Sequence, residues 1–477
     1  MRVMKFGGTS VATADAIRRV AAIVAREHGA RRAGPVVVVS ALGGVTDRLL
    51  EVAALARSGD ATGARRLVDA LRARHLEVLA ELAPGGHGES ARKAVDDHFA
   101  HLSALADALS VMREASPRSM DAVAATGELT SCHIVAAAMA ASGLPAVAVD
   151  PRVLLVTDET FMQAVPQHEA TRAHADVHVR PLLADRIVVT GGFVGATRKG
   201  LATTLGRGGS DYSAAIFGAA LDAEEIQIWT DVDGMLTADP RVVANPQLVP
   251  CLSFGEAAEL AYFGAKVLHP KTIQPAAARN IPVRILNTFR PEAPGTLIAD
   301  HAVAEPSSVT ALACKRGITV ITITSTGMLM AHGYMRRLFE VFERHRTSVD
   351  VVSTSEVSVS VTVDEVTHLE SIVAGLSAFA EVSVARDLAL VAVVGDRYGA
   401  DPAAFCRVVR ALEGVPLRLV SQADARRNVT LVIDEDDLSL AMDRLHAEFF
   451  RSAFANASAD HAVASAEAGQ TRTGASA

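Results

Sequence analysis

The chain has 477 residues, half of them apolar, which is material for two or three domains with full-sized cores. Its 46 Lys and Arg against 54 Asp and Glu leave a net charge of −8, and with four tyrosines and one tryptophan this argues against a nucleic-acid partner. No charged leader opens it, no apolar run approaches a membrane span, and Cys132, Cys251, Cys314 and Cys406 lack the paired spacing of zinc or redox sites, so a cytoplasmic protein without a membrane or metal centre is expected.

In chain order, the first element is a strand, Val3–Phe6, running into Gly7-Gly8-Thr9-Ser10 and a helix at Ala14–Arg26. Two residues without Cβ let the backbone approach an anion, and the helix points free N–H groups at the same place. Lys5 adds a charge that can follow a phosphoryl group. No Gly-Lys-Ser/Thr closes the turn and no third glycine follows, which separates it from a Walker loop and a dinucleotide fingerprint. A strand at Val36–Ser40 enters a second glycine turn, Ser40-Ala41-Leu42-Gly43-Gly44-Val45-Thr46. Ala61–Arg113 is helical throughout, with leucines at core spacing, and reads as an inserted lobe. Thr126-Gly127-Glu128 is placed where a strand ends and a helix opens, so Glu128 is either a first-turn acid or a ligand for an ammonium group. Strands at Ala146–Val149, Ile187–Thr190, Ile226–Thr230 and Val283–Leu286 alternate with helices such as Asp211–Ala220. That alternation predicts a largely parallel sheet covered on both faces.

Three glycines surround Arg207 within Thr203–Ser213. Arg207 can grip a carboxylate through two parallel hydrogen bonds, and Ser210 is placed to cap the next helix. Asp211 either orders a site or compensates the helix dipole. Asp231 stands at a strand's C-terminal end, where ligands bind in α/β sheets. Ser253-Phe254-Gly255-Glu256 fits a capping box, and Lys266, in Phe263–Pro270, can neutralise phosphate. Arg290–Ser308 reads as a linker. Beyond it, Gly317–Thr324, Val349–Thr354, Val357–Val363 and Ala380–Ala385 are strands around helices Gly333–Arg346 and Val366–Leu376. Leu388–Val394, Leu417–Ser421 and Val429–Ile433 then accompany helices Asp401–Leu412 and Asp436–Phe449. These are two tandem ferredoxin-like β-α-β-β-α-β units. The second lacks its last strand, and the unassigned apolar run Ser308–Ala313 is a candidate to supply it.

Together Lys5–Ala12, Thr126–Glu128, Thr203–Ser213, Trp229–Arg241 and Phe263–Pro270 resemble the ordered motif set of the aspartate kinase (aspartokinase) family, over about Met1 to Phe450. The likeness is to its monofunctional, lysine-sensitive form, since no dehydrogenase segment follows. It implies an α/β chain: an amino-acid-kinase fold, a mostly parallel sheet sandwiched by helices, over 1–298 with a helical insert at about 61–113. Tandem ferredoxin-like ACT domains at 309–385 and 386–452 and a disordered tail at 456–477 would follow. The implied reaction is ATP-dependent phosphorylation of the L-aspartate β-carboxylate at the head of lysine, threonine and methionine synthesis, with Mg2+ bridging the ATP phosphates. Lys5, Asp211 and Arg207 would be catalytic. Thr46, Glu128, Phe193, Arg207, Gly208, Gly209, Ser210 and Asp211 would hold aspartate. Lys5, Phe6, Gly7, Gly8, Ser40, Thr230, Asp231, Leu236, Arg241, Lys266 and Val267 would hold the nucleotide.

The same resemblance places an amino-acid effector, lysine and/or threonine, at Met328, Ala331, Gly333, Tyr334, Ser348, Val349, Asp350, Thr354, Ser355 and Glu356, with Asp350 and Glu356 meeting its ammonium group. It implies a homodimer or dimer of dimers joined through the ACT domains. The chain departs from the pattern at Asp233, where proline is common, and at Leu236, where a tyrosine often stacks. Met330 and Ala331 replace His and Ser, which predicts weaker lysine sensitivity. A kinase for glutamate or acetylglutamate, and a kinase retired into an amino-acid sensor, are the rival readings. The opening motif with its tandem ACT units opposes the first, and intact Lys5, Glu128, Arg207, Asp211 and Lys266 oppose the second.

Overall fold

Four valines in a row, Val36–Val39, have no polar face, and all four are buried in the interior of an eight-stranded sheet. The computed structural model describes residues 1–29, 34–264, 270–300, 308–422 and 427–450. Lys266, Val267 and the tail at 456–477 lie outside the described residues. The described chain forms two compact units, 1–235 with 250–258 and 270–300, and 236–249 with 259–264 and 308–450.

The first unit starts with β1 (Arg2–Phe6), α1 (Ala14–Gly29) and β2 (Val36–Val39). Four helices follow: α2 (Val45–Ser58), α3 (Ala61–Leu82), α4 (Glu89–Met112) and α5 (Pro117–Ala141). Then come β3 (Ala146–Val149), β4 (Val156–Thr157), α6 (His168–His178), β5 (Ile187–Gly191), β6 (Val194–Thr197), β7 (Ala202–Thr204), α7 (Gly209–Leu221) and β8 (Glu225–Thr230). The order β3-β5-β2-β1-β8 is parallel throughout. Beside β8 the sheet is completed by β9 (Cys251–Ser253), β10 (Val283–Asn287) and β11 (Thr296–Ala299), and β10 meets β11 antiparallel. The helices α8 (Phe254–Tyr262) and α9 (Pro270–Ala278) lie between β9 and β10 in the chain. The capping box forms as spelled: the Ser253 N–H donates to Glu256 Oε2 at 2.9 Å, and the Glu256 N–H to Ser253 Oγ at 3.0 Å.

By length and composition α5 is a candidate membrane span, yet 89% of its apolar window is buried within the protein. It is a core helix of the first unit. The lobe predicted at Ala61–Arg113 is the pair α3 and α4, whose Leu71, Leu79, Leu102 and Leu109 are buried as core.

The second unit is built on β12 (Ala311–Thr324), α10 (Tyr334–Arg344), β13 (Val352–Thr354), β14 (Ser358–Val363), α11 (Leu369–Ser377) and β15 (Glu381–Val394). It continues through α12 (Ala404–Ala411), β16 (Leu419–Ser421), β17 (Asn428–Asp434) and a helix over residues 438–450. The two strands expected at Ala380–Ala385 and Leu388–Val394 are one strand, β15. Its first half pairs with Val320–Thr324, and its second half pairs with Ala311–Lys315 of the same long β12. The sheet order β13-β14-β12-β15-β17-β16 therefore contains two ferredoxin-like sets of four strands that share β12 and β15. The unassigned apolar run before Gly317 supplies the strand that the second set lacked, with Leu312 and Val309 in that set's core.

Candidate active site

The C-terminal ends of β1, β2 and β5 converge on one cleft, as expected of ligand sites in parallel sheets. After β1 the Gly7 N–H donates to Trp229 O at 3.1 Å, and a single 3-10 turn, Thr9–Val11, follows. The helix α1 starts at Ala14, as expected, but it lends no residue to the cleft; a different helix, α7, presents its first turn there. Gly8 and Gly44 line the cavity, and a Cβ on Gly8 would stand 3.3 Å from the Ala41 carbonyl. Phe6 is fully buried and stacked on Trp229, so only its backbone, which accepts the Ser40 N–H at 3.2 Å, serves this end of the strand.

Lys5 projects from β1 with its Nζ 2.5 Å from Asp211 Oδ1, and both side chains are largely buried. Asp211 is the third residue of α7, so its carboxylate is an orienting partner for Lys5 and not a solvated surface acid. Gly208, in a left-handed conformation at φ 73, is the N-cap; no side chain caps α7, and Ser210, expected there, sits inside the helix. Phe193 is held at φ 62, a sparsely populated conformation for a residue with a side chain. Its N–H donates to Ser213 Oγ at 2.8 Å, and a Cβ on Gly209 would stand 2.6 Å from the Phe193 ring. Phe193 is thereby pressed against the start of α7.

Thr126-Gly127-Glu128 does not end a strand. It lies in the middle of α5, with all three residues buried. A Cβ on Gly127 would come within 2.7 Å of the Ala41 Cβ, so this glycine lets α5 close on the second turn. Glu128 lines the cleft, and its Oε1 accepts the Ala41 N–H at 3.1 Å. Its Oε2 is buried without a hydrogen-bond partner among the described residues. Burial pushes this carboxyl up to about 7, against the opposing pull of the Ala41 N–H and the Lys5 charge.

The cavity is about 370 Å³ and is lined by Lys5, Gly8, Ser40 to Gly44, Thr46, Asp47, Glu128, Phe193, Gly206 and Gly208 to Asp211. Arg207 is not among these residues. It is exposed at the tip of its loop, between Gly206 at φ 76 and Gly208 at φ 73, with no ion pair among the described residues. Thr230 ends β8 and Asp231 follows it, the two joined at 3.2 Å, and both lie outside the cavity lining. Asp233, the departure from proline, receives Asn287 Nδ2 at 2.7 Å and pairs with Arg290, which ties this loop to the end of β10. Leu236 and Arg241 belong to the second unit, where Leu236 bridges Leu248 and the Arg241 guanidinium is turned onto Asp239.

The sequence matches the Amino acid kinase family over residues 1–287 and the ACT domain over residues 391–449. It is 34% identical to the lysine-sensitive aspartokinase 3 of Escherichia coli K12, covering 94% of this chain and 99% of that one. The chloroplastic aspartokinase 3 of Arabidopsis thaliana is likewise 34% identical, with 94% and 82% covered. The chain belongs to the aspartokinase family. The fold agrees: a crystal structure of E. coli aspartokinase III with aspartate and ADP in the R-state superposes with a TM-score of 0.81 at 35% identity, covering 94% of this chain and all of that one. The same enzyme with lysine and aspartate in the T-state gives 0.78. The architecture is thus the amino-acid-kinase fold with C-terminal ACT domains.

Within this aspartokinase, sequence reasoning missed Asp121. Its buried carboxylate accepts Thr204 Oγ1 at 2.6 Å and the Met162 N–H at 2.9 Å, which anchors the strand entering the Arg207 loop. Asp121 is two turns before Glu128 on α5, so helical spacing from Glu128 was the available signal. In the second unit, the residues expected to meet an effector divide between the segment from Met328 to the start of α10 and the stretch 348–356 that enters and turns the β13–β14 hairpin. The Ser325 N–H donates to Val357 O at 2.8 Å, which brings the loop before Met328 beside the hairpin turn carrying Ser355 and Glu356. Met330 is 93% exposed, and Gly333, at φ 81, is the N-cap of α10. Asp350 is at the other end: its N–H donates to Thr362 O, four residues along the strand from Ser358, roughly 13 Å at the usual strand rise. Its carboxylate already accepts the Tyr262 hydroxyl at 2.7 Å and faces Lys315 Nζ at 3.5 Å. One ammonium group cannot meet Asp350 and Glu356 of the same chain.

Proposed function

We propose that this chain transfers the γ-phosphoryl group of ATP to the β-carboxylate of L-aspartate, giving 4-phospho-L-aspartate for lysine, threonine and methionine synthesis. Membership of the aspartokinase family supports the reaction, and the observation that carries it in the geometry is Glu128. A buried carboxylate with one unpartnered oxygen, beside the paired Lys5 and Asp211, suits the ammonium group of an amino-acid substrate. The substrate's own carboxylate oxygen attacks phosphorus and the bond to the ADP oxygen breaks, so no protein nucleophile is needed. Lys5, oriented by Asp211, neutralises charge that builds on the transferring group. Thr46, Phe193 and the first turn of α7 fix the substrate's position. Ser40, Gly7, Gly8, Thr230, Asp231 and, from the sequence, Lys266 and Val267 serve the nucleotide, with Leu236 and Arg241 kept in that role by resemblance alone. Arg207 would reach a carboxylate only if its glycine-flanked loop turned inward.

Magnesium would arrive on the phosphate oxygens of ATP, whose charge it screens. Among the described residues no three His, Cys, Asp or Glu side chains gather as a separate cage. We assign 1–298 to the kinase domain, 316–385 to the first ACT domain and 386–452, completed by the strand at 311–315, to the second, in a cytoplasmic enzyme. Since Asp350 and Glu356 stand at opposite ends of one hairpin, an effector touching both would bridge two copies of the chain, which supports a homodimer or dimer of dimers.

The test is ADP release from ATP in the presence of aspartate, with the acyl phosphate trapped by hydroxylamine. The expected result is a hydroxamate that requires aspartate, and Lys5→Ala lowering kcat with little change in aspartate KM. Hydroxamate from glutamate and not aspartate, or none from either, would overturn the reading.

A further inference from the structure

Arg74 belongs to α3, in the lobe that contributes no residue to the cleft. Its Nη2 donates to two backbone carbonyls, Ala12 O at 3.2 Å and Gly43 O at 2.9 Å. Ala12 leaves the first glycine turn, and Gly43 lies inside the second. The turns press on each other there: a Cβ on Gly43 would stand 2.8 Å from the Ala12 Cβ and 3.3 Å from Gly8 O. Among the described residues, the bond from the Ser40 N–H to Phe6 O joins the two strand ends, and no hydrogen bond runs directly between the turns beyond it. The guanidinium supplies that link. It suits the task because it is always charged and offers two hydrogens on one planar nitrogen, and charge-assisted bonds to carbonyls are stronger than neutral ones.

The direction of the pull matters. In a trans peptide the carbonyl and the following N–H point opposite ways. With the Gly43 carbonyl turned to Arg74, the Gly44 N–H points away from it. Gly43 and Gly44 line the cavity, whereas Arg74 does not. We propose that Arg74 is a positioning residue for phosphoryl transfer, a staple that holds the two glycine turns at the separation and orientation the transferring group requires. The inference rests on the phosphoryl-transfer reading above. The docking of α3 itself does not need this contact, because Leu71, Leu79 and Leu82 bury its apolar face and Arg18 pairs with Glu81 at 2.8 Å.

The experiment compares Arg74→Ala, Arg74→Lys and, as a control on the same helix contact, Arg18→Ala, using the full chain with ATP and aspartate and a thermal melt of each variant. Arg74→Ala should lower kcat roughly ten- to a hundredfold, as misplacement of order 1 Å does, with each KM within about threefold. Arg74→Lys should recover part of the loss, and added guanidinium ion at millimolar levels should raise the rate of Arg74→Ala but not of Lys5→Ala. Arg18→Ala should keep its kcat. A kcat for Arg74→Ala within twofold of wild type, a loss explained wholly by KM, or a loss that neither lysine nor guanidinium relieves would overturn the proposal. Wild type inactive towards aspartate would overturn the activity and this proposal together; active wild type with equally active Arg74→Ala overturns this proposal alone.

Discussion

Glu128 holds a charge that its surroundings oppose. Burial raises its carboxyl to about 7, above the ordinary 4.5, so the folded protein binds this proton more tightly than the unfolded chain. The stability it contributes is fully present below pH 4.5 and is lost as pH rises through 7. Glu128→Gln removes the buried charge at the same size, so at pH 8 its melting temperature should exceed that of wild type, by up to the equivalent of about 3 kcal/mol, with the gap closing by pH 5. The same variant should lose aspartate affinity most above pH 7, where wild type carries the charge. In wild type, kcat/KM for aspartate should fall as pH drops below 7, because a protonated Glu128 no longer pairs with an ammonium group. A melting temperature for Glu128→Gln below wild type at pH 8 would contradict the buried, unpartnered carboxylate. Asp121 is the complementary case, since its carboxylate is filled by Thr204 and Met162. Asp121→Ala should destabilise the protein by about 1–3 kcal/mol, by leaving two donors without their acceptor, and slow turnover through the Arg207 loop.

Much of the cleft was legible because its chemistry is local in the chain: a strand, two glycines and a lysine announce phosphate contact without knowledge of the fold. Glu128 was found while its setting was misread, since Thr126-Gly127-Glu128 looks like the exit from a strand, and only packing against Ala41 explains a glycine in mid-helix. Gly127→Ala should therefore displace the second turn. We expect a loss of about 1–3 kcal/mol from overpacking and at least a tenfold fall in kcat/KM, measured by melting and steady-state kinetics. In the second unit, the alternation of strands and helices gave both ferredoxin-like sets. The pairing of Ala311–Lys315 with Leu388–Val394 was legible only as a vacancy beside an unassigned run, because hydrogen bonding across the chain leaves no periodicity. Leu312→Asp would bury an unpaired charge in the core of the second set. Hydrogen exchange should then accelerate across residues 388–434 before it does across 318–363. Equal acceleration in both stretches would mean that the two sets do not unfold separately.

At the scale of the whole molecule, the regulation proposed above requires two copies of the chain to meet. Residues 381–385 pair with β12 on one side only, and most of them are exposed, which leaves an open strand edge of the kind that recruits a second copy. Light scattering at micromolar protein should give at least a dimer, and a monomer with and without lysine would refute this arrangement. Lysine or threonine should favour a less active state by binding it more tightly. Glu356→Ala should raise the inhibitory concentration by tenfold or more, whereas Met330 and Ala331 should leave wild-type sensitivity to lysine modest; inhibition by neither amino acid at millimolar levels would remove the regulatory role. The shared strands β12 and β15 also fix an order in time. As the chain leaves the ribosome, Ala311–Lys315 emerges ahead of everything else on β12, but Lys315 must wait for Leu390, and Ala311 for Val394. The whole first set, helices included, can close in that interval, with a sticky apolar strand trailing from it. The earliest-made part of β12 finds its place only after the later-made part has.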